Sequence, residues 1–311
     1  MRAVVVRAFG GPQALEIVDV PIPEPGTGQV RIRVEAAAVN PVDAATRAGH
    51  LTEAGLIVPR EMYGIGWDVA GVVDETGPAV HRFSPGDKVI GLSDRLDVSL
   101  GTYADYVVLD AGAVAPAPAG LPAAAAATLP LNALTAVQAL DRLALDPGRT
   151  LLVTGGAGGL GGFAIELAAR RGLRVVASAS DRDAGVVRAF GAEWFVPRSA
   201  DLATEVRRLV PGGVDAALDA AVVGVRALDA VRGGGAFLAF VSGAEPPALR
   251  GTTVGNVWIR ADGARLAELA ALAAAGHLTP RVADVLPLTE AADAHERLAK
   301  GGLSGRLVLA P

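Results

Sequence analysis

The sequence predicts an α/β fold in which a doubly wound parallel sheet follows an all-β module, and three observations carry that prediction. Residues 1 to about 117 hold short β-like runs divided by Pro and Gly. An apolar run, Leu151 to Val153, then opens into Gly155, Gly156, Ala157, Gly158, Gly159, Leu160 and Gly161. Beyond that turn, β-like and helix-like stretches alternate, which is the pattern of a parallel sheet joined by crossover helices.

In the first module strands are expected at 3–8, 15–20, 29–38, 69–75, 87–91 and 103–109, with Pro21, Pro23, Pro25, Gly26, Pro85 and Gly86 among the breakers. An Ala-rich helix starts at Ala123 and a second runs from Leu134 to Leu143. The glycine turn comes next. Gly156, Gly158 and Gly161 are spaced G-x-G-x-x-G; Phe163, Ile165, Leu167 and Ala168 follow on a helix-like stretch, and Arg174 to Val176 opens a second β run. In this strand, turn, helix, strand setting the motif reads as a dinucleotide site. The missing β-carbons let a pyrophosphate reach the backbone, and the helix N-terminus offers N–H groups and a partial positive charge. Further strands are expected at 192–196, 214–219, 236–241 and 256–260, a helix at 264–275, and helix and strand over 286–309.

A length of 311 residues suits two domains. Hydrophobic residues make up 51% but aromatics only 4%, so the cores should be built from small aliphatic side chains. The net charge of −5, with no basic block, argues against a nucleic-acid partner. No apolar span reaches the ~20 residues needed to cross a bilayer, and Met1, Arg2, Ala3, Val4 leads into a strand rather than a signal peptide. A cytoplasmic protein without a membrane partner is expected. The absence of cysteine rules out disulfides, thiolate metal sites and a cysteine nucleophile.

Several segments coincide, in order, with one family: Asn40, Pro41, Val42, Asp43 with Arg47 and Gly49; Gly66 to Gly71; Pro85 to Val89; Gly101 to Ala104; Leu129 to Leu131; Leu134 to Ala136; Val153 to Gly161; Ala294 to Glu296; and Gly305, Arg306. Over nearly its whole length the chain resembles the zinc-independent medium-chain dehydrogenase/reductases, in the quinone oxidoreductase and enoyl reductase branch. The resemblance implies a GroES-like β-barrel domain at 1–117, a Rossmann domain at 118–253 inserted into it, and a segment at 254–311 that adds a Rossmann edge strand and returns to the first domain. Zinc-dependent relatives hold a catalytic ion with a Cys and a His-Glu pair. Here that place reads Gly66, Trp67, Asp68, and the four histidines, His50, His81, His277 and His295, are scattered, so no metal site is expected.

Hydride transfer from a reduced nicotinamide to a quinone or an α,β-unsaturated carbonyl fits a metal-free site, because the conjugated carbonyl itself accepts the charge. Such an enzyme must orient the reactants, exclude water and donate hydrogen bonds to the developing enolate. The resemblance puts Asn40 and Thr135 near the nicotinamide as orienting residues. The tyrosines that relatives carry after Asn-x-x-Asp are replaced by Ala45 and Leu51. His50 and Tyr63 are the candidate proton donors; the alternatives are a solvent-facing loop histidine and a solvent proton. Asp43 and Asp68 are expected to orient loops through Arg47 and backbone N–H groups, and His295 to be structural. Enoyl-thioester reduction, or dinucleotide binding with little turnover, are the competing readings.

NADPH is the expected cofactor. The strand at 174–178 ends on Ser178 where NAD-specific proteins carry a carboxylate, and Ser180, Arg182 and Arg198 follow as candidates for the 2′-phosphate, against Asp181 and Asp183 in the same loop. The resemblance adds Phe240 and Arg306 to the expected cofactor contacts. The β-rich run Thr252 to Ile259 is expected at the edge of the Rossmann sheet and suggests a homodimer, with Trp258 either in that interface or in the core.

Overall fold

Alternation of side chains builds the longest strand of the molecule: over Gln29–Ala38, Val30, Ile32, Val34 and Ala36 are buried while Arg33 faces solvent. The computed structural model describes residues 1–311. Its strands are β1 (Arg2–Val6), β2 (Glu16–Asp19), β3 (Gln29–Ala38), β4 (Tyr63–Gly64), β5 (Asp68–Thr76), β6 (Lys88–Leu92), β7 (Tyr106–Asp110) and β8 (Val114–Pro116). There follow β9 (Thr150–Thr154), β10 (Arg174–Ala179), β11 (Trp194–Pro197), β12 (Val214–Asp219), β13 (Val231–Ala239) and β14 (Thr253–Asn256), and finally β15 (Val282–Pro287) and β16 (Arg306–Ala310).

The first unit comprises residues 1–134, 260–276 and 280–311. It holds a three-stranded sheet, β2-β1-β4, and a seven-stranded sheet, β15-β16-β3-β5-β6-β8 with β7 paired to β3. Val, Ile and Leu side chains from these strands, with Phe83 and Tyr103, make its core. β16 lies between β15 and β3, so the last strand of the sequence closes a sheet begun near residue 30.

The second unit, 135–259 with 277–279, is built on a six-stranded parallel sheet in the order β11-β10-β9-β12-β13-β14. Its strands read as near-continuous apolar runs, as strands covered on both faces do: all five residues of β9 are buried. Small aliphatic side chains fill the core around Phe237.

Three expectations need correction. The first unit extends to residue 134 rather than 117, because the helix Ala123–Ala126 packs on β3, β5, β15 and β16, and the chain leaves the second unit after residue 259 rather than 253. The strand expected at 256–260 runs from Thr253 to Asn256, where it stays in register with Ala236–Ala239 of β13; Trp258 beyond it is 49% exposed and not core. The stretch Ala123–Leu143 is long and apolar enough by composition to cross a membrane, yet most of it is buried in the protein, as core helices are.

Candidate active site

In the second unit, the turn between β9 and the helix Gly159–Arg170 depends on absent β-carbons. Gly155 has φ +63°, which an L side chain rarely adopts. A Cβ at Gly161 would lie 2.2 Å from the Gly155 carbonyl oxygen, and one at Gly156 would lie 2.9 Å from Ile165 Cδ1. The Gly156 N–H donates to the Ser178 carbonyl at 3.0 Å, tying the turn to the end of β10. Gly158 caps the helix without a side-chain hydrogen bond. A bare backbone turn leading into a helix N-terminus is a cradle for a pyrophosphate, so these residues fit a dinucleotide.

Strand order reverses between β9 and β12, and in open α/β sheets ligands bind at the carboxyl ends of strands at such a reversal. There the Thr154 hydroxyl donates to Asp219 at 2.6 Å, and the same carboxylate accepts the N–H groups of Val223 and Gly224 at 3.0 and 2.7 Å. Sequence reasoning missed Asp219, although a carboxylate ending a buried strand was a signal. Ala157, Gly159 and Leu160 are half-buried in the turn. Ser178 is buried at the end of β10, Ser180 is half-buried, and Arg182 and Arg198 are exposed, with Arg182 Nε 3.9 Å from Asp183. Phe240 is half-buried just past β13, and Thr135 is buried in the helix Pro130–Leu143.

In the first unit, Asn40 caps the helix Pro41–Ala48. Pro41 presets the first turn, Gly49 ends the helix at φ +89°, and the Asp43 carboxylate reaches back to the Asn40 N–H at 2.7 Å. The Tyr103 hydroxyl donates to that carboxylate at 3.0 Å. Asn40 Nδ2 donates to Asp68 at 2.7 Å, and Asn40 Oδ1 accepts from Asn132 at 3.1 Å. The other Asp68 oxygen accepts the Leu131 N–H at 2.6 Å, and Arg306 donates to Asn132 Oδ1 at 2.5 Å. Burial, with a smaller push from Asp68, raises Asp43 to about 8; burial raises Asp68 to about 7. Arg306, itself lowered by burial, draws both back down.

Several of the expected site residues meet in this network, and one expected pairing is corrected. Asn40 is wholly buried with its amide donating to Asp68 and Ala38, so it holds the Asp68 carboxyl in place. Asp43 does orient backbone, but not through Arg47, whose guanidinium donates instead to the Gly10 carbonyl and to His295 Nδ1. Arg306 donates to Asn132 and acts on the Asp43 and Asp68 carboxyl groups by charge, while its buried Nε has no partner. His295 is structural, buried under the edge of Tyr103.

A cleft in the first unit is lined by Thr46, Arg60, Tyr63, Trp67, Ser93 and Leu96 among others. Of the two candidate proton donors only Tyr63 lines it; His50 is exposed at the start of the short helix His50–Glu53. The Tyr63 oxygen accepts the Arg60 N–H at 3.1 Å, which leaves the phenolic hydrogen to donate elsewhere.

Residues 26–119 match the alcohol dehydrogenase GroES-like domain and residues 190–309 match the zinc-binding dehydrogenase domain. An NADPH-dependent alkenal/one oxidoreductase of Arabidopsis thaliana chloroplasts is 31% identical over all of this chain and 80% of its own length. The chain belongs to the medium-chain dehydrogenase/reductase family. Among solved members of that family, the quinone oxidoreductase of Coxiella burnetii is 30% identical with a TM-score of 0.87, over 100% of this chain and 99% of that one. A mycobacterial member complexed with NADPH is 30% identical at a TM-score of 0.85, covering both chains in full. An NAD-dependent alcohol dehydrogenase is 33% identical at a TM-score of 0.87, again over both full chains.

This family member does not fit the zinc of the second domain's description. It has no cysteine, no group of three His, Asp or Glu side chains converges, and both oxygens of Asp68 are taken by the Leu131 N–H and the Asn40 amide.

Proposed function

We propose that this chain is an NADPH-dependent reductase that transfers hydride to a quinone or an α,β-unsaturated carbonyl without a metal. The pyrophosphate cradle at Gly155–Gly161 carries the reading, and the names borne by its relatives, alkenal/one and quinone oxidoreductases, support the substrate class. When bound, NADPH supplies the hydride. The chain's own contribution is to hold the cofactor on the glycine turn and helix N-terminus, and to meet the 2′-phosphate with Ser178, Ser180, Arg182 and Arg198. Tyr63 donates its uncommitted hydrogen to the substrate oxygen as charge grows there, which favours the transition state over the ground state. A proton from solvent completes the reduction.

The test is NADPH oxidation against a panel of quinones, free enones and enoyl thioesters, with elemental analysis of the same preparation. Turnover on quinones or free enones by metal-free protein is expected. Tight NADPH binding without turnover would favour a dinucleotide-binding protein, and a stoichiometric zinc whose removal ends activity would overturn the metal-free reading.

A further inference from the structure

The wall of the cleft is the stretch 93–101, which has no regular secondary structure, and Arg60 from another segment takes two of its carbonyls. Arg60 Nη1 donates to the Val98 carbonyl at 2.5 Å and Nη2 to the Leu96 carbonyl at 2.8 Å, while Nε donates to Val58 at 3.3 Å. The Leu96 and Val98 carbonyls meet the two prongs of one planar guanidinium. Lysine, a single ammonium on a flexible stem, cannot reproduce that fork. The same residue reaches the other side of the cleft: its N–H donates to Tyr63 Oη, and its guanidinium carbon lies 5.9 Å from the centre of the Tyr63 ring. A second attachment follows directly in sequence. The Gly64 N–H donates to the Ser99 carbonyl at 2.9 Å, and a Cβ at Gly64 would lie 2.3 Å from Gly101 N.

From this arrangement we infer that Arg60 is a positioning residue that fixes the 93–101 stretch as the wall of the substrate cleft and thereby limits the size of the substrate that reaches Tyr63. The inference rests on the reductase reading for its substrate class, but the strap itself does not. Arg60 touches no reacting atom. Its side chain holds two main-chain carbonyls that would otherwise turn to water, while its main-chain N–H, which neither substitution below removes, donates to the Tyr63 hydroxyl.

The test uses Arg60→Met, which keeps the apolar stem of the side chain, and Arg60→Lys, which keeps the charge but not the fork. Hydrogen exchange of the Gly64 and Ser93 amides, which donate to the Ser99 and Trp67 carbonyls and so tie the wall to its neighbours, is measured with no substrate present, and KM and kcat are measured for a small and a bulky enone. Loss of the two charge-assisted bonds should speed exchange of the Gly64 and Ser93 amides about tenfold or more in Arg60→Met, with a smaller change in Arg60→Lys. KM for the small enone should rise by about fivefold or more with kcat changed less, and the bulky enone should gain relative to it. The NADPH dissociation constant should stay unchanged. Unaltered exchange of the Gly64 and Ser93 amides overturns the strap. Faster exchange with unaltered discrimination between the two enones overturns its role in specificity. If the unmodified protein reduces no enone or quinone, the reductase reading fails, while the exchange data still decide whether Arg60 holds the wall.

Discussion

Asn40 and Asp68, 28 residues apart in sequence, are joined by a 2.7 Å hydrogen bond with both side chains wholly buried. Removing the donor leaves a buried carboxyl with only the Leu131 N–H to satisfy it. Asn40→Ala is therefore expected to destabilise the protein by about 1.5–3 kcal/mol, read as a lower urea midpoint with the slope unchanged. Equal midpoints for the two proteins would show the bond to be idle.

Two buried groups, His295 and Asp43, pull stability in opposite directions as pH changes. His295 accepts from Arg47 at 3.0 Å, and burial, helped by that charge, lowers it from 6.5 to about 4. Below its unfolded value the unfolded state takes up the proton more readily. Its contribution is thus complete above 6.5 and lost as pH falls toward 4. Asp43, raised from 3.8 to about 8, keeps a proton that the unfolded chain releases, so its contribution is complete below 3.8 and lost as pH rises toward 8. Between about 4 and 6.5 the two slopes oppose each other, each at most about 1.4 kcal/mol per pH unit for one proton, so His295→Gln should make stability fall more steeply as pH rises through that range. Urea titrations at a series of pH values check this; an unchanged slope between 4 and 6.5 would show that His295 makes no such contribution.

Cofactor choice should turn on the end of β10. Ser178 is buried there and Arg182 is exposed nearby. Ser178→Asp is expected to erase or reverse a preference for NADPH over NADH by repelling the 2′-phosphate. Arg182→Ala should weaken NADPH alone, by roughly 1.5–3 kcal/mol if the contact is charge-assisted. Calorimetric titration of each protein with both cofactors measures it, and equal kcat/KM for the two in the unmodified protein would sink the assignment.

The six-stranded sheet of the second unit ends on β14, which pairs with β13 on one side only, and Trp258 just beyond is half exposed. A second copy of this chain joined along that edge is the expected assembly. Light scattering at micromolar concentration should give twice the chain mass; a monomer there would leave the edge to another partner.

The parallel sheet and its glycine turn were legible because their signals are local. An apolar run, a glycine spacing and a helix-like stretch lie within thirty residues, and β12 falls at 214–219 as the pattern predicts. The network around Asn40 was not, because its members come from residues 40, 43, 68, 103, 132 and 306, and no short-range pattern states that a buried amide will find a buried carboxyl so far along the chain. For the same reason Arg47 was matched to the carboxylate four residues before it, whereas the fold offers it His295. Arg60 gave no signal at all, since its partners are main-chain carbonyls, which every residue has.

The placement of β16 between β15 and β3 sets an order of assembly. The second unit is complete, apart from three residues, once the chain has reached residue 259, whereas the unit that begins at Met1 lacks both a central strand and Arg306 until nearly the whole sequence exists. During synthesis the half made first must wait longest, with the partner edge of β3 unfilled and two buried carboxyl groups short of their cation. Long-range pairing of this kind is slow and exposed to misassembly. Loss of the final strand should therefore cost the whole first unit while the parallel sheet still forms.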